Sequence, residues 1–262
     1  MALTLVFAAL FMSAAMCLAW AIQRRTGNSG WIDTIWSFAV ALASIGAAFS
    51  LSGASGRAWL AAALIGAWGL RLGGYIAFRS KGAPEDPRYA ALVAEWGADA
   101  SRRLFMFLQA QAIAGFVLVV CVGLAARNPA PLWRWLDVLA LAVFAGAIAG
   151  AAMADEQLRR FRGDAANRGK VCDAGLWGLS RHPNYFFEWM GWLAYPLLAL
   201  GALQPWGFLA FAAPALMYVL LVHVSGIPPL EEHMERSRGD AFRAYRARVN
   251  AFFPGLPTSS RS

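Results

Sequence analysis

The chain has 262 residues, 59% of them hydrophobic and 15% charged, with a mean hydropathy of +0.49. That leaves too little polar surface for an ordinary water-soluble globule and points to an all-α, polytopic integral membrane protein, a single membrane domain over residues 1–262. The formal net charge of +8 suits anionic lipid headgroups and basic loops that set topology, so no nucleic-acid partner is needed to explain it.

Crossing a bilayer as a helix takes about 20 apolar residues. Runs near that length fall at 1–22, 33–52, 58–78, 104–124, 132–154, 185–203 and 207–224, which predicts seven transmembrane helices. The first lacks a basic leading region and is followed by Arg24-Arg25, so it is expected to stay in the mature protein rather than act as a secretory signal. Of the 23 basic residues, two fall in 23–32, five in 79–103, six in 155–184 and six in 225–262, against Arg57, Arg127 and Arg134 in the opposite connections. The positive-inside bias then puts the N-terminus outside and the C-terminus in the cytoplasm, with a bacterial inner membrane as the expected address. The long connections 155–184 and 225–262 share the cytoplasmic face and are expected to cover a cofactor pocket there.

Polar residues inside apolar runs are the site candidates, because hydrocarbon cannot solvate them. Trp31-Ile-Asp33-Thr-Ile-Trp36 opens the second run; Asp33 either caps that helix or serves a site. Arg71 lies within the third run beside Trp68. A bare guanidinium there costs at least about 2.5–3.5 kcal/mol, so Arg71 requires an acceptor, for which Asp33, Glu188 or a bound anion qualify. Gln109 and Gln111 are read as interhelical hydrogen-bonding groups, and Gly146-Ala-Ile-Ala-Gly150 as a close helix contact and not a nucleotide loop. No strand pattern precedes a glycine fingerprint, so a Rossmann site is excluded. Cys17, Cys121 and Cys172 are scattered, as are the three histidines, which predicts reduced thiols and no metal site.

Asp155, Arg159 and Arg162 are spaced i, i+4, i+7 and share a helical face, either as a solvated salt-bridged row or as holders of a ribose and phosphates. Only Lys81 and Lys170 are lysines; every other basic residue is Arg, whose planar fork binds phosphate. The stretch Gly175-Leu-Trp-Gly-Leu-Ser-Arg-His-Pro-Asn-Tyr-Phe-Phe-Glu188 passes from a basic loop into an apolar run. Pro183 favours a helix start there, which puts Asn184 and Glu188 one turn apart on one face, able to grip a planar carboxamide. In the tail, Phe242, Tyr245 and Val249 form an apolar stripe that either anchors to the interface or closes a cytoplasmic pocket.

Lys170…Gly175-Leu-Trp…Ser180-Arg-His-Pro-Asn-Tyr…Glu188-Trp, preceded by Asp155…Arg159…Arg162 and followed by Tyr245…Pro254, resembles the membrane steroid 5-alpha-reductase family and its bacterial relatives over about residues 150–257, and more weakly over 31–110. The resemblance implies a seven-helix bundle binding NADPH from the cytoplasmic side. It assigns Asp155, Arg162, Lys170 and Asn184 to the cofactor and Glu188 to a place beside it; Arg159, Arg181 and Tyr245 are further cofactor candidates, and Trp36 and Trp68 are substrate candidates. The family's Gln-Glu pair in the second helix is absent; Trp31-Ile-Asp33-Thr occupies a similar place. The implied reaction is hydride transfer to the C4–C5 double bond of a 3-oxo-Δ4 steroid or similar lipophilic enone, with Asp33 and Arg71 at the ketone end and an apolar pocket among the first four predicted helices. The Arg-His-Pro-x-Tyr core is also similar to isoprenylcysteine carboxyl and phospholipid methyltransferases, which use S-adenosylmethionine; that cofactor has no phosphate, so the Arg row favours the reductase. A non-enzymatic lipid-binding protein is the third reading.

Overall fold

The apolar runs fold as helices whose ends are set by local chemistry. The structure, a computed structural model, describes residues 1–82 and 85–257. Helix α1 (Ala2–Thr26) ends at Gly27, whose φ of 67° is the left-handed conformation that closes a helix. α2 (Gly30–Ser52) follows, then α3 (Gly56–Ser80), capped by the Ser55 side chain accepting from Ala58 N. Asp86 caps α4 (Pro87–Trp96) in the same way through Arg88 N, and α5 (Ala100–Ala126) and α6 (Trp135–Gly163) complete the long helices.

The remainder is shorter: α7 (Pro183–Trp192), α8 (Ala194–Ala199), α9 (Ala212–Tyr218), a π-helical turn over Val219–Val224, α10 (Ile227–Arg238) and α11 (Asp240–Arg248). Six segments of the described residues are long and apolar enough to cross a membrane: α1, α2, α3, Arg88–Ala126, α6 and Pro205–Arg238. The run expected to span as 185–203 is not one helix. It breaks at Leu193 into α7 and α8, and Pro196 has no N–H for the carbonyl of Trp192 one turn back.

The chain forms two compact units, one of Met1–Leu141 with Leu193–Ala213, the other of Ala142–Trp192 with the residues from Pro214 onward. The boundary falls inside α6, so no change of composition announces it. In the first unit α2 packs on α1, α3 and α5. A Cβ on Gly69 would lie 2.6 Å from that of Ala41, so α2 and α3 approach more closely than a side chain there permits.

One end of this unit is fastened by a buried ion cluster. Arg57, at the start of α3, donates Nη1 to Asp137 Oδ1 at 2.8 Å and Nη2 to Oδ2 at 3.1 Å, and also reaches the carbonyls of Ala130, Pro131 and Leu198. Arg134 Nη2 meets Asp137 Oδ1 at 2.8 Å. Asn128 Nδ2 donates to the carbonyls of Leu198, Ala199 and Leu200, the acceptors that the end of α8 leaves unpaired. Arg57 and Asp137 are 3% and 1% exposed, and Arg57 has no other carboxylate among its bonds, so removing Asp137 strands a buried cation. Asp137→Ala is expected to destabilise the protein by about 3–5 kcal/mol, read as a lowered midpoint of thermal inactivation in detergent; an unchanged midpoint would show that the cluster adds nothing.

Candidate functional site

In the second unit, the Ser-Arg-His-Pro-Asn-Tyr motif divides into two parts with different work. The first part binds the tail. Ser180 Oγ donates to Phe252 O at 2.9 Å and accepts from His182 N at 3.1 Å, while Arg181 N donates to Asn250 O at 2.8 Å. The Arg181 side chain, buried, donates Nε to Glu231 Oε1 at 2.7 Å and Nη1 to the carbonyls of Arg246 and Val249. His182 Nε2 meets the same Glu231 oxygen at 3.1 Å. Tyr245 Oη donates to Trp177 O at 2.6 Å, and burial pushes its phenol well above the ordinary range. Phe242, Tyr245 and Val249 form a buried cluster with Val171 and Met234. The tail's apolar stripe therefore packs on protein rather than entering a lipid interface. Arg181 and Tyr245, expected as cofactor residues, make their hydrogen bonds between the motif and the tail.

The second part of the motif faces α6. Pro183 is the first residue of α7, as its fixed φ favours. Asn184 Nδ2 donates to Asp155 Oδ1 at 3.1 Å and Asn184 Oδ1 accepts from Tyr185 N, so two of the expected cofactor residues are brought into direct contact. Glu188, one turn on, is 7% exposed. A Cβ on Gly150 would collide with the ring of Phe187, whereas one on Gly146 would meet Met190 at an ordinary 3.6 Å, so of the glycine pair of α6 it is Gly150 that the packing requires. Gly175, at a φ of 61°, lets the Gly-Leu-Trp turn lie on α6, where Leu176 N donates to Gln157 Oε1 and Trp177 Nε1 to Ala154 O.

Beside this face is a cavity of about 200 Å³ lined by Arg162, Arg168, Lys170 and Arg238, with Leu158, Phe161, Cys172 and Met234 among its apolar walls. Arg238 retains a buried Nε with no hydrogen-bond partner among the described residues. Four cations around one cavity suit the oxygens of a phosphate. Burial pushes the Cys172 thiol up from its ordinary range. Arg162 and Lys170 both line the cavity, but Arg159 does not join them: it pairs with Glu156 at 2.6 Å, in a contact that also holds Arg160, and is 61% exposed. Arg168 and Arg238 were missed. Arg168 belongs to no helical row, and Arg238 comes from a helix 68 residues beyond Lys170 in the chain.

In the first unit, Asp33 is the fourth residue of α2 and not its cap. Its carboxylate accepts from Arg88 Nη2 at 2.6 Å and Tyr89 Oη at 2.9 Å, two residues of α4 that stand out in no apolar run. Arg88 also holds Asp86, and Gln111 Nε2 donates to Tyr89 Oη at 3.2 Å. Trp36 and Trp68 meet edge to face with centroids 6.2 Å apart, and Trp36 Nε1 donates to Gln111 O. Arg71 lies one turn beyond Trp68 on α3, half-buried. Ser13 Oγ donates to Gln109 Oε1 at 2.7 Å, so both glutamines are interhelical ties.

The family described as protein of unknown function, DUF1295, matches residues 19–249, and the chain belongs to it. No curated protein and no solved structure gives a significant match.

Burial lowers the affinity of His182 for a proton, against the opposing pull of Glu231. The folded state thus holds fewer protons than the unfolded chain below the ordinary histidine pKa of about 6.5, and stability falls as pH drops through that value. His182→Gln is expected to flatten this limb of the stability profile between about pH 6.5 and 5. An identical profile in the variant would assign the limb to other groups.

Proposed function

We propose that this protein is an NADPH-dependent reductase of the C4–C5 double bond of a 3-oxo-Δ4 steroid or a similar lipophilic enone. The observation that carries the reading is the cavity bounded by Arg162, Arg168, Lys170 and Arg238. S-adenosylmethionine has no phosphate for such a set. The resemblance of residues 150–257 to the steroid 5-alpha-reductase family supports the same choice.

When bound, NADPH supplies a hydride to the β carbon of the enone. The four cations hold phosphate oxygens, including a 2′-phosphate that NADH lacks. The Asp155–Asn184 pair presents a carboxylate and an amide on adjacent helices, groups suited to a ribose hydroxyl and a carboxamide. Glu188, one turn deeper on α7, adds an acceptor for the second carboxamide proton. In the first unit, Trp36 and Trp68 form an apolar wall for the substrate. Asp33 stands at the ketone end, where it accepts from Tyr89 Oη, which in turn accepts from Gln111 Nε2. Arg71 stabilises the negative charge that develops on the ketone oxygen.

In this reading α7 and α8 together make a seventh, broken crossing. The N-terminus is then outside, the C-terminus is cytoplasmic, and the cofactor cavity opens on the cytoplasmic side of a bacterial inner membrane.

The small molecule retained on purification tests the assignment: NADP(H) is expected, whereas S-adenosylmethionine or its demethylated product would transfer the protein to the methyltransferases. NADPH should bind more tightly than NADH, and Arg162→Ala should weaken it about tenfold or more, the effect of removing one charge-assisted hydrogen bond. Equal affinities for the two nucleotides would overturn the phosphate assignment. Glu188→Gln should lower turnover of a testosterone-like enone about tenfold or more while the protein remains folded; unchanged turnover would remove Glu188 from the site.

A further inference from the structure

Glu231, Met234 and Arg238 are spaced i, i+3, i+7 on α10 and share one face of the helix. Met234 and Arg238 line the cation-rich cavity; Glu231 is not among its lining residues. It lies about 10 Å further back along the helix axis. There a single oxygen, Oε1, accepts from Arg181 Nε at 2.7 Å and His182 Nε2 at 3.1 Å. Both donors are buried and sit immediately before Pro183, the first residue of α7. α10 is otherwise a polar helix, with exposed Glu232, His233 and Arg236, and only Ile227 in it is fully buried. Glu235 ties α10 to Arg243 and Arg246 of α11 at the surface, and the Glu231 contacts are its buried polar tie to the residues before α7.

We propose that Glu231 is a positioning residue for anion recognition: held by Arg181 and His182, it sets the face of α10 so that Arg238 reaches the phosphate-binding cavity. This rests on the NADPH reading of that cavity and adds a determinant of its selectivity. Positioning and simple electrostatics predict opposite signs. Removing a negative charge near an anion site tightens anion binding through space, whereas releasing the helix weakens it.

The test measures NADPH and NADH affinities of the full-length, detergent-purified protein. In the wild type NADPH is preferred. Glu231→Ala is expected to raise the Kd for NADPH about tenfold, with little change for NADH, because the hydrogen bond that Arg238 no longer makes is the one to the extra phosphate. Glu231→Gln keeps one oxygen able to accept from both donors and should restore most of the preference. If Glu231→Ala leaves Arg181 too poorly compensated to fold, Arg181→Met/Glu231→Met removes both charges and is expected to show the same loss of preference. Tighter NADPH binding in both the Ala and Gln variants, or a lowered thermal midpoint with the preference intact, would overturn the positioning role. Absence of any NADPH preference in the wild type would overturn the cofactor reading itself.

Discussion

The second unit depends on one buried guanidinium. Arg181 is in a setting where an unpaired charge would be costly, and its cost is met by the Glu231 carboxylate and the carbonyls of Arg246 and Val249, one acceptor from α10 and two from the end of α11. Neither α10 nor α11 is long enough to be stable alone, at 12 and 9 residues. Tertiary contacts must hold both, and the apolar part of those contacts is small: Phe242, Tyr245 and Val249 on Val171 and Met234. The polar contacts supply what that small cluster lacks in direction. They fix which way each short helix faces, and hydrophobic burial alone does not.

The first unit solves a similar problem at the start of α3. Arg57 meets one carboxylate, Asp137, and carbonyls that neighbouring turns and helix ends leave unpaired. In both places a cation gathers acceptors from segments distant in sequence. A helix C-terminus carries orphan carbonyls and partial negative charge, so an Arg that reaches two such ends joins them with bonds the backbone cannot make itself. Arg57 counts as a loop charge when only its position between apolar runs is considered, and its burial is what the charge count misses.

What could be read from the sequence was what depends on spacing within one helix. The long apolar runs became helices, Pro183 opened α7, Gly150 of α6 marked a close contact, and Phe242, Tyr245 and Val249 formed a single apolar stripe. What could not be read depends on partners across the chain. Asp33 needed Arg88 and Tyr89, whose helix is too short to register as an apolar run. Arg159 shares a face with Asp155 by spacing, yet Glu156 lies within reach and takes it. The break between α7 and α8 was visible as Pro196, but a proline near the middle of an apolar run is compatible with a kinked span, and sequence does not decide between a kink and two helices.

The division of the Ser-Arg-His-Pro-Asn-Tyr motif also explains why it resembles two cofactor classes at once. Ser180, Arg181 and His182 spend their hydrogen bonds on the tail, a task that is the same whatever the cavity holds. A motif with that role reports a shared layout of helices and not a ligand. Discrimination has to come from residues free of the clasp, and here those are the cations of the cavity wall. Lys170 and Arg168 come from the loop before the motif, Arg162 from the end of α6, and Arg238 from the helix the clasp secures. In the proposed reading, phosphate recognition rests on side chains that lie outside the motif, and the motif's contribution is to hold α10.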